Sequence, residues 1–155
     1  MNTGITKRGF VSETINQRKM HVSAMTDEEV ELIYSYMQVS LEINKPKLAR
    51  HLARKISSGE IKLSKEQLSD TLGDAHNLVE FNTDGYSVRG LYRSKEPYWV
   101  TLDDRFVIAN LCVVVDLDTL TVITAYYNSV NDGHSTINMN RYTEIDIKEV
   151  LYGQR

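Results

Sequence analysis

This amino-acid sequence predicts an α+β domain in which N-terminal helices pack on one face of a four- to five-stranded antiparallel sheet. Three observations lead there. Apolar residues recur at helical spacing from Val30 to Ala75. From Leu78 onward the period changes, and β-branched and aromatic residues take over. The apolar runs are then separated by short turn signals, Asn82-Thr83-Asp84-Gly85 and Asp116-Leu117-Asp118-Thr119, which join antiparallel neighbours rather than parallel strands with crossover helices.

Each element has its own local reason. Residues 1–25 read as an N-terminal arm: the first 20 are polar and weakly patterned. Thr26-Asp27-Glu28-Glu29 is a capping box that opens the first helix, and Val30, Ile33, Tyr34, Met37 and Leu41 form its apolar stripe as far as Glu42. A second helix is expected from Asn44, with Pro46 in its first turn, Leu48, Ala49, Leu52, Ala53 and Ile56 buried, and Gly59 as the stop. Ser64-Lys65-Glu66-Gln67 is another capping box and starts a third helix, stapled by Leu63 and Leu68 and continued by Leu72 and Ala75. Gly73 weakens it. Strands follow at Leu78–Phe81 and Tyr86–Arg93. Ser94–Asp104, with Pro97, reads as a loop or irregular edge. Phe106–Val115 is apolar on both faces and so reads as a central strand, and Thr121–Tyr127 returns beside it. Asn128–Ser135 is a polar loop, Ile137–Tyr142 a short last strand and Asp146–Tyr152 a terminal helix.

A chain of 155 residues suits one domain with a single core, residues 26–155 here, helical over 26–77 and mainly sheet over 78–155. One cysteine, Cys112, can form neither an internal disulfide nor a cysteine metal site, which points to a reducing cytoplasm. No run approaches the ~18 apolar residues of a membrane span, and Met1–Phe10 lacks a signal peptide's apolar run, so no membrane partner is expected. The formal net charge of −3 argues against strong non-specific nucleic-acid binding. It hides an asymmetry, with Asp27, Glu28, Glu29 and Glu31 preceding a basic stretch of Lys45, Lys47, Arg50, Arg54, Lys55, Lys62 and Lys65. The basic stretch is either a solvated helix face or a phosphate-facing patch.

Phosphate-loop, dinucleotide-binding and nucleophile-elbow motifs are absent, and no two histidines share metal-ligand spacing on one helix, so neither a cofactor nor an intrinsic metal is expected. Arg89 and Arg93 lie four apart on one predicted strand and share a face, a parity Lys95 continues if the strand extends. Such a pair either binds phosphate bidentately or is a solvated face pairing with acids such as Glu80. His134 sits in a polar loop with Thr136, Asn138 and Tyr142 nearby, as a general acid or base or as a plain surface residue. His51, beside Arg54 at the edge of the second helix's apolar face, is either a boundary residue or a base kept neutral by neighbouring cations, with Glu80 able to orient it. The nine tyrosines are mainly packing groups, and any on the arginine face could stack on a base.

The order of elements, with Ala49-Arg50-His51-Leu52-Ala53-Arg54, Val79-Glu80-Phe81, Leu91-Tyr92-Arg93, Val113–Asp118, Ile123–Asn128 and Asp132-Gly133-His134, resembles the superfamily of small ribonuclease toxins that includes barnase, colicin D-type tRNA nucleases, RelE toxins and the phage endoribonuclease RegB. The resemblance covers roughly residues 45–142 and lies in element order and residue types. It implies metal-independent cleavage of RNA, tRNA or mRNA, on an open sheet face: the ribose 2′-OH attacks the adjacent phosphate and leaves a cyclic phosphate. Carried onto this chain, it implies His134 as base or acid, His51 as its partner, Arg89, Arg93 and Lys95 as phosphate stabilisers, and Thr136, Asn138, Tyr142 and Arg54 as RNA contacts. The acidic balance and the first 44 residues depart from the pattern. A non-catalytic inhibitor, encoded by a phage or mobile element and sequestering a host or nucleic-acid-binding partner, is the competing expectation, as is an RNA regulator that binds without cutting. An antidote protein is a further expected partner of a toxin.

Overall fold

A computed structural model describes residues 17–131 and 142–153. Four helices and a seven-stranded, mostly antiparallel sheet make up the fold among those residues. In chain order they are β1 (Arg18–His21), α1 (Asp27–Ile43), β2 (Lys47–Leu48), α2 (Arg50–Ser57), α3 (Lys65–Leu72), β3 (Leu78–Thr83), β4 (Val88–Arg93), β5 (Tyr98–Leu102), β6 (Arg105–Asp116), β7 (Thr121–Ser129) and α4 (Ile147–Tyr152). The strands lie in the order β1-β3-β4-β6-β7-β2, and β5 pairs β6 beyond the end of β4. Every pairing is antiparallel except that of β2 with β7.

Both capping boxes form. Thr26 Oγ1 accepts from the Glu29 amide at 3.1 Å while the Glu29 carboxylate accepts from the Thr26 amide at 2.9 Å. Ser64 and Gln67 repeat the exchange at 3.1 and 2.9 Å. Each box satisfies donors that the first helical turn leaves orphaned.

Four expectations are corrected. The second helix starts at Arg50 rather than Asn44, because Pro46 disfavours a helical conformation at the residue before it. The chain there is extended, and the Lys47 and Ala49 amides donate to Leu120 and Val122 carbonyls at 3.2 and 2.9 Å, which makes β2. Ser94–Asp104 contains the regular strand β5, since Pro97 precedes Tyr98 and does not interrupt the ladder. Part of the N-terminal arm is not loose: β1 is an edge strand paired to β3 from Arg18↔Thr83 to His21↔Glu80. With β1, β2 and β5 added, the sheet exceeds the four or five strands expected. The predicted strand at Ile137–Tyr142 falls almost wholly outside the described residues.

One face of the sheet carries the core. Val30, Ile33 and Met37 of α1 and Ile147 and Leu151 of α4 pack on Phe81, Val88, Tyr92 and Val115. Leu52 of α2 packs on Leu111, Val113, Val122 and Ala125. Ile33, Phe81 and Tyr92 are fully buried, and Ile33 and Phe81 are each worth about 1.5–3 kcal/mol in area removed from water. Leu41, placed on the stripe by its spacing, is 46% exposed at the end of α1. These strand residues face the helices. The alternate residues form the other face of the sheet.

A candidate active site on the open sheet face

Strand parity decides what that second face presents. In β4, Val88, Gly90 and Tyr92 face the helices, so Arg89, Leu91 and Arg93 face away. Cα partners share a face, and the register therefore lays out three rows across the sheet. One runs Lys19, Asn82, Arg89, Asp116. The next runs His21, Glu80, Leu91, Val114, Thr124, and the third Arg93, Cys112, Tyr126. Glu80 thus stands opposite the residue midway between the two arginines. Those are four residues apart, or ~13 Å along the strand.

The Glu80 side chain is only 13% exposed. Its Oε1 accepts a 2.7 Å hydrogen bond from the Tyr142 hydroxyl, and its Oε2 lies 3.9 Å from Lys19 Nζ. The His21 ring meets the Tyr142 ring edge-on, with centroids 5.3 Å apart. Desolvation, the bond to Glu80 and that carboxylate's charge push the Tyr142 phenol well above its ordinary range. Desolvation also pushes Tyr126 up to about 12, with neighbouring Cys112 and Glu80 adding to the shift. Both tyrosines therefore keep their protons at neutral pH and act as hydrogen-bond donors.

The two arginines differ in their bonding. Arg93 has neutral oxygens among its partners: Nη1 donates to Asn128 Oδ1 at 2.8 Å, Nη2 to Asn110 Oδ1 at 2.9 Å and to the Ser129 carbonyl at 3.4 Å. Asn110 is itself fixed by donating to the Ser94 carbonyl at 2.8 Å. Arg89 makes no hydrogen bond or ion pair among the described residues, and its buried Nε has no partner. Asp116, its neighbour in register, spends Oδ1 on the Asp118 and Thr119 amides, each at 2.9 Å. A guanidinium left this way on a sheet face is ready for an anion.

The other site residues expected from the sequence are dispersed. β4 ends at Arg93, so Lys95 does not continue its parity. It is exposed in the following turn, where it lines a shallow pocket with Arg93, His76, Asp74, Leu78 and Val79. His51 and Arg54 are exposed on α2, whose Leu52 packs on the helix-covered face, so they lie across the sheet from Arg89 and Arg93. The expected pairing of His51 with Glu80 is not made for the same reason. His134, Thr136 and Asn138 lie outside the described residues. Tyr142 is in the cluster.

Sequence reasoning missed His21, placed Tyr126 only among the strand tyrosines that could stack on a base, and gave Glu80 only a supporting role. A carboxylate inside the apolar run Leu78-Val79-Glu80-Phe81 was the available signal. Among the described residues no three His, Cys, Asp or Glu side chains group as metal ligands, and no helix is long and apolar enough to cross a membrane. A cavity of about 530 Å³ between α1, α3 and the sheet is lined mainly by apolar groups such as Met37, Leu68, Leu72 and Val122, which offer no acid–base chemistry. No protein-family model, curated protein or solved structure matches the chain.

Proposed function

We propose that this protein is a metal-independent endoribonuclease that binds RNA on its open sheet face. The observation that carries the reading is the largely buried Glu80 carboxylate, hydrogen-bonded by Tyr142 and set between Arg89 and Arg93. Cleavage by internal attack needs a proton acceptor at the ribose 2′-OH, positive charge around the phosphorus and a proton donor at the departing 5′-oxygen. Glu80 takes the 2′-OH proton. The 2′-oxygen bonds to phosphorus, the bond to the 5′-oxygen breaks, and a 2′,3′-cyclic phosphate and a 5′-hydroxyl result. Arg89 and Arg93 hold the non-bridging oxygens. His134 supplies the proton to the leaving oxygen, while Tyr142 orients Glu80. Thr136 and Asn138 contact the RNA, and Lys95 lies where the chain enters beside Arg93. His51 and Arg54 take no part in this site, since they lie on the covered side of the sheet.

The test is cleavage of total RNA and tRNA in EDTA by the full chain and by Glu80→Gln and His134→Ala variants. Cyclic-phosphate ends produced by the wild type and lost in both variants support the reading. Folded wild-type protein that cleaves none of these RNAs would sink it and leave the non-catalytic binding protein as the alternative, to be pursued by partner capture.

A further inference from the structure

The β5–β6 hairpin carries two large aromatic side chains that folding leaves in water. Trp99 is 63% exposed and Phe106 is 70% exposed. Their rings stack on each other, with centroids 5.2 Å apart and planes 27° apart. Parity puts them on a known side of the sheet. Trp99 is the Cα partner of Ile108, and Thr101 that of Phe106. Ile108 and Phe106 share the parity of Asn110 and Cys112, which belong to the open face with Arg93. Trp99 therefore stands on the same face as the candidate site, four β6 residues or ~13 Å from the row of Arg93.

We infer that Trp99 and Phe106 form a stacking platform for unpaired bases of single-stranded RNA running from Arg93 toward the hairpin. The inference rests on the reading of the open face as an RNA site and names the strandedness of its substrate. A base presents a flat π-face to any ring, so stacking needs no sequence match. Such contact suits a platform beside cations that hold the backbone. The row from Arg93 through Asn110 and Ile108 to Trp99 is continuous, and Lys95 is exposed in the turn that joins β4 to β5. Beyond the rings the hairpin ends in the exposed acids Asp103 and Asp104, which repel phosphate and so end the track there. Duplex RNA keeps its bases stacked on one another and gives these rings nothing to cover.

The chain has one tryptophan, so its fluorescence reports on the platform directly. The probe is a 2′-O-methyl oligouridylate, which binds as a single strand but has no 2′-OH to attack. An abasic oligomer of equal length and charge serves as control. The full chain should show saturable quenching with the first and none with the second. A Trp99→Ala/Phe106→Ala variant should bind the labelled oligouridylate roughly ten- to a hundredfold more weakly by anisotropy, and Trp99→Phe should stay within a few-fold of wild type. Both rings are exposed, so the variants should melt as the wild type does. Equal quenching by the abasic oligomer, unchanged binding by the double variant, or sedimentation showing the rings buried in a dimer of this chain would each overturn the platform. The cleavage reading fails separately: quenching without any cleavage in EDTA leaves the platform standing, and cleavage without quenching removes only the platform.

Discussion

Tyr142 donates a 2.7 Å hydrogen bond to Glu80 across 62 residues of sequence. The bond joins the C-terminal stretch of the chain to strand β3 on the face that none of the described helices covers. It fixes one carboxylate oxygen and leaves the other facing Lys19 at 3.9 Å.

Replacing Glu80 by Gln keeps the shape and removes the proton acceptor. RNA cleavage should fall by about 10²–10⁴-fold, with thermal melting close to wild type. Tyr142→Phe keeps the ring contact with His21 but loses the donor. Its expected cost is about 1.5 kcal/mol of stability, the low end for a hydrogen bond to a charged group, because the pair is partly wet. A cleavage assay of Glu80→Gln and a denaturant titration of both variants check these values. A Glu80→Gln variant that cleaves RNA as well as wild type would remove Glu80 from the proposed chemistry.

Arg89 and Arg93 should separate in stability. Arg93→Ala leaves Asn110 and Asn128 without their donor, so it should lose about 1–3 kcal/mol as well as RNA binding. Arg89 has no described partner to abandon, and truncating it relieves a buried, unsatisfied Nε. Arg89→Ala should weaken RNA binding and flatten its salt dependence while leaving stability within about 0.5 kcal/mol of wild type. Paired urea melts and binding isotherms at several salt concentrations measure this contrast. Equal destabilisation by both substitutions would contradict it.

Gly90 leaves room for the Tyr92 ring to lie along β4. A Cβ at position 90 would come within 2.8 Å of Tyr92 Cε1 and 3.6 Å of Leu78 Cδ1. Tyr92 is fully buried and cannot swing into solvent. Gly90→Ala should therefore cost about 1–3 kcal/mol, in the range for overpacking, read as a lower calorimetric midpoint. A midpoint equal to wild type would show that the ring has space to move.

Alkaline pH should loosen the open face. Tyr126 is pushed up to about 12 from an ordinary 10.0, chiefly by desolvation. A raised folded value means that the folded state holds this proton more tightly than the unfolded chain. The contribution is complete below pH ~10 and is lost as pH rises from there through about 12. Urea midpoints should fall over that window, and the fall should be smaller in Tyr126→Phe. Phenolate absorbance that titrates completely near pH 10 would contradict the shift.

How much could be read from the sequence depended on the range of the interaction. The capping boxes at Thr26 and Ser64 and the turn after β6 involve residues three or four apart, and local chemistry sets them. β2 was legible only as two residues after Pro46, and what makes it a strand is the carbonyls of Leu120 and Val122, more than 70 positions away in sequence. β1 hid in an unpatterned arm because an edge strand with one wet face carries little periodicity.

Local pattern determined that α1 to α3 precede strands β3 to β7, where α1 and α3 begin, and that Arg89 and Arg93 share a face. The period of two within one strand is enough for that last point. Tertiary structure alone decided which face. Once α1, α2 and α4 buried the side of Val88 and Tyr92, both arginines were left on the side that no described helix covers, and His51 and Arg54 were carried to the other. The companions of the arginines were decided the same way. Glu80, Tyr126, His21 and Tyr142 reach them through strand register and long-range hydrogen bonding. Register depends on which residues the whole sheet must bury, and no local stretch of sequence encodes that.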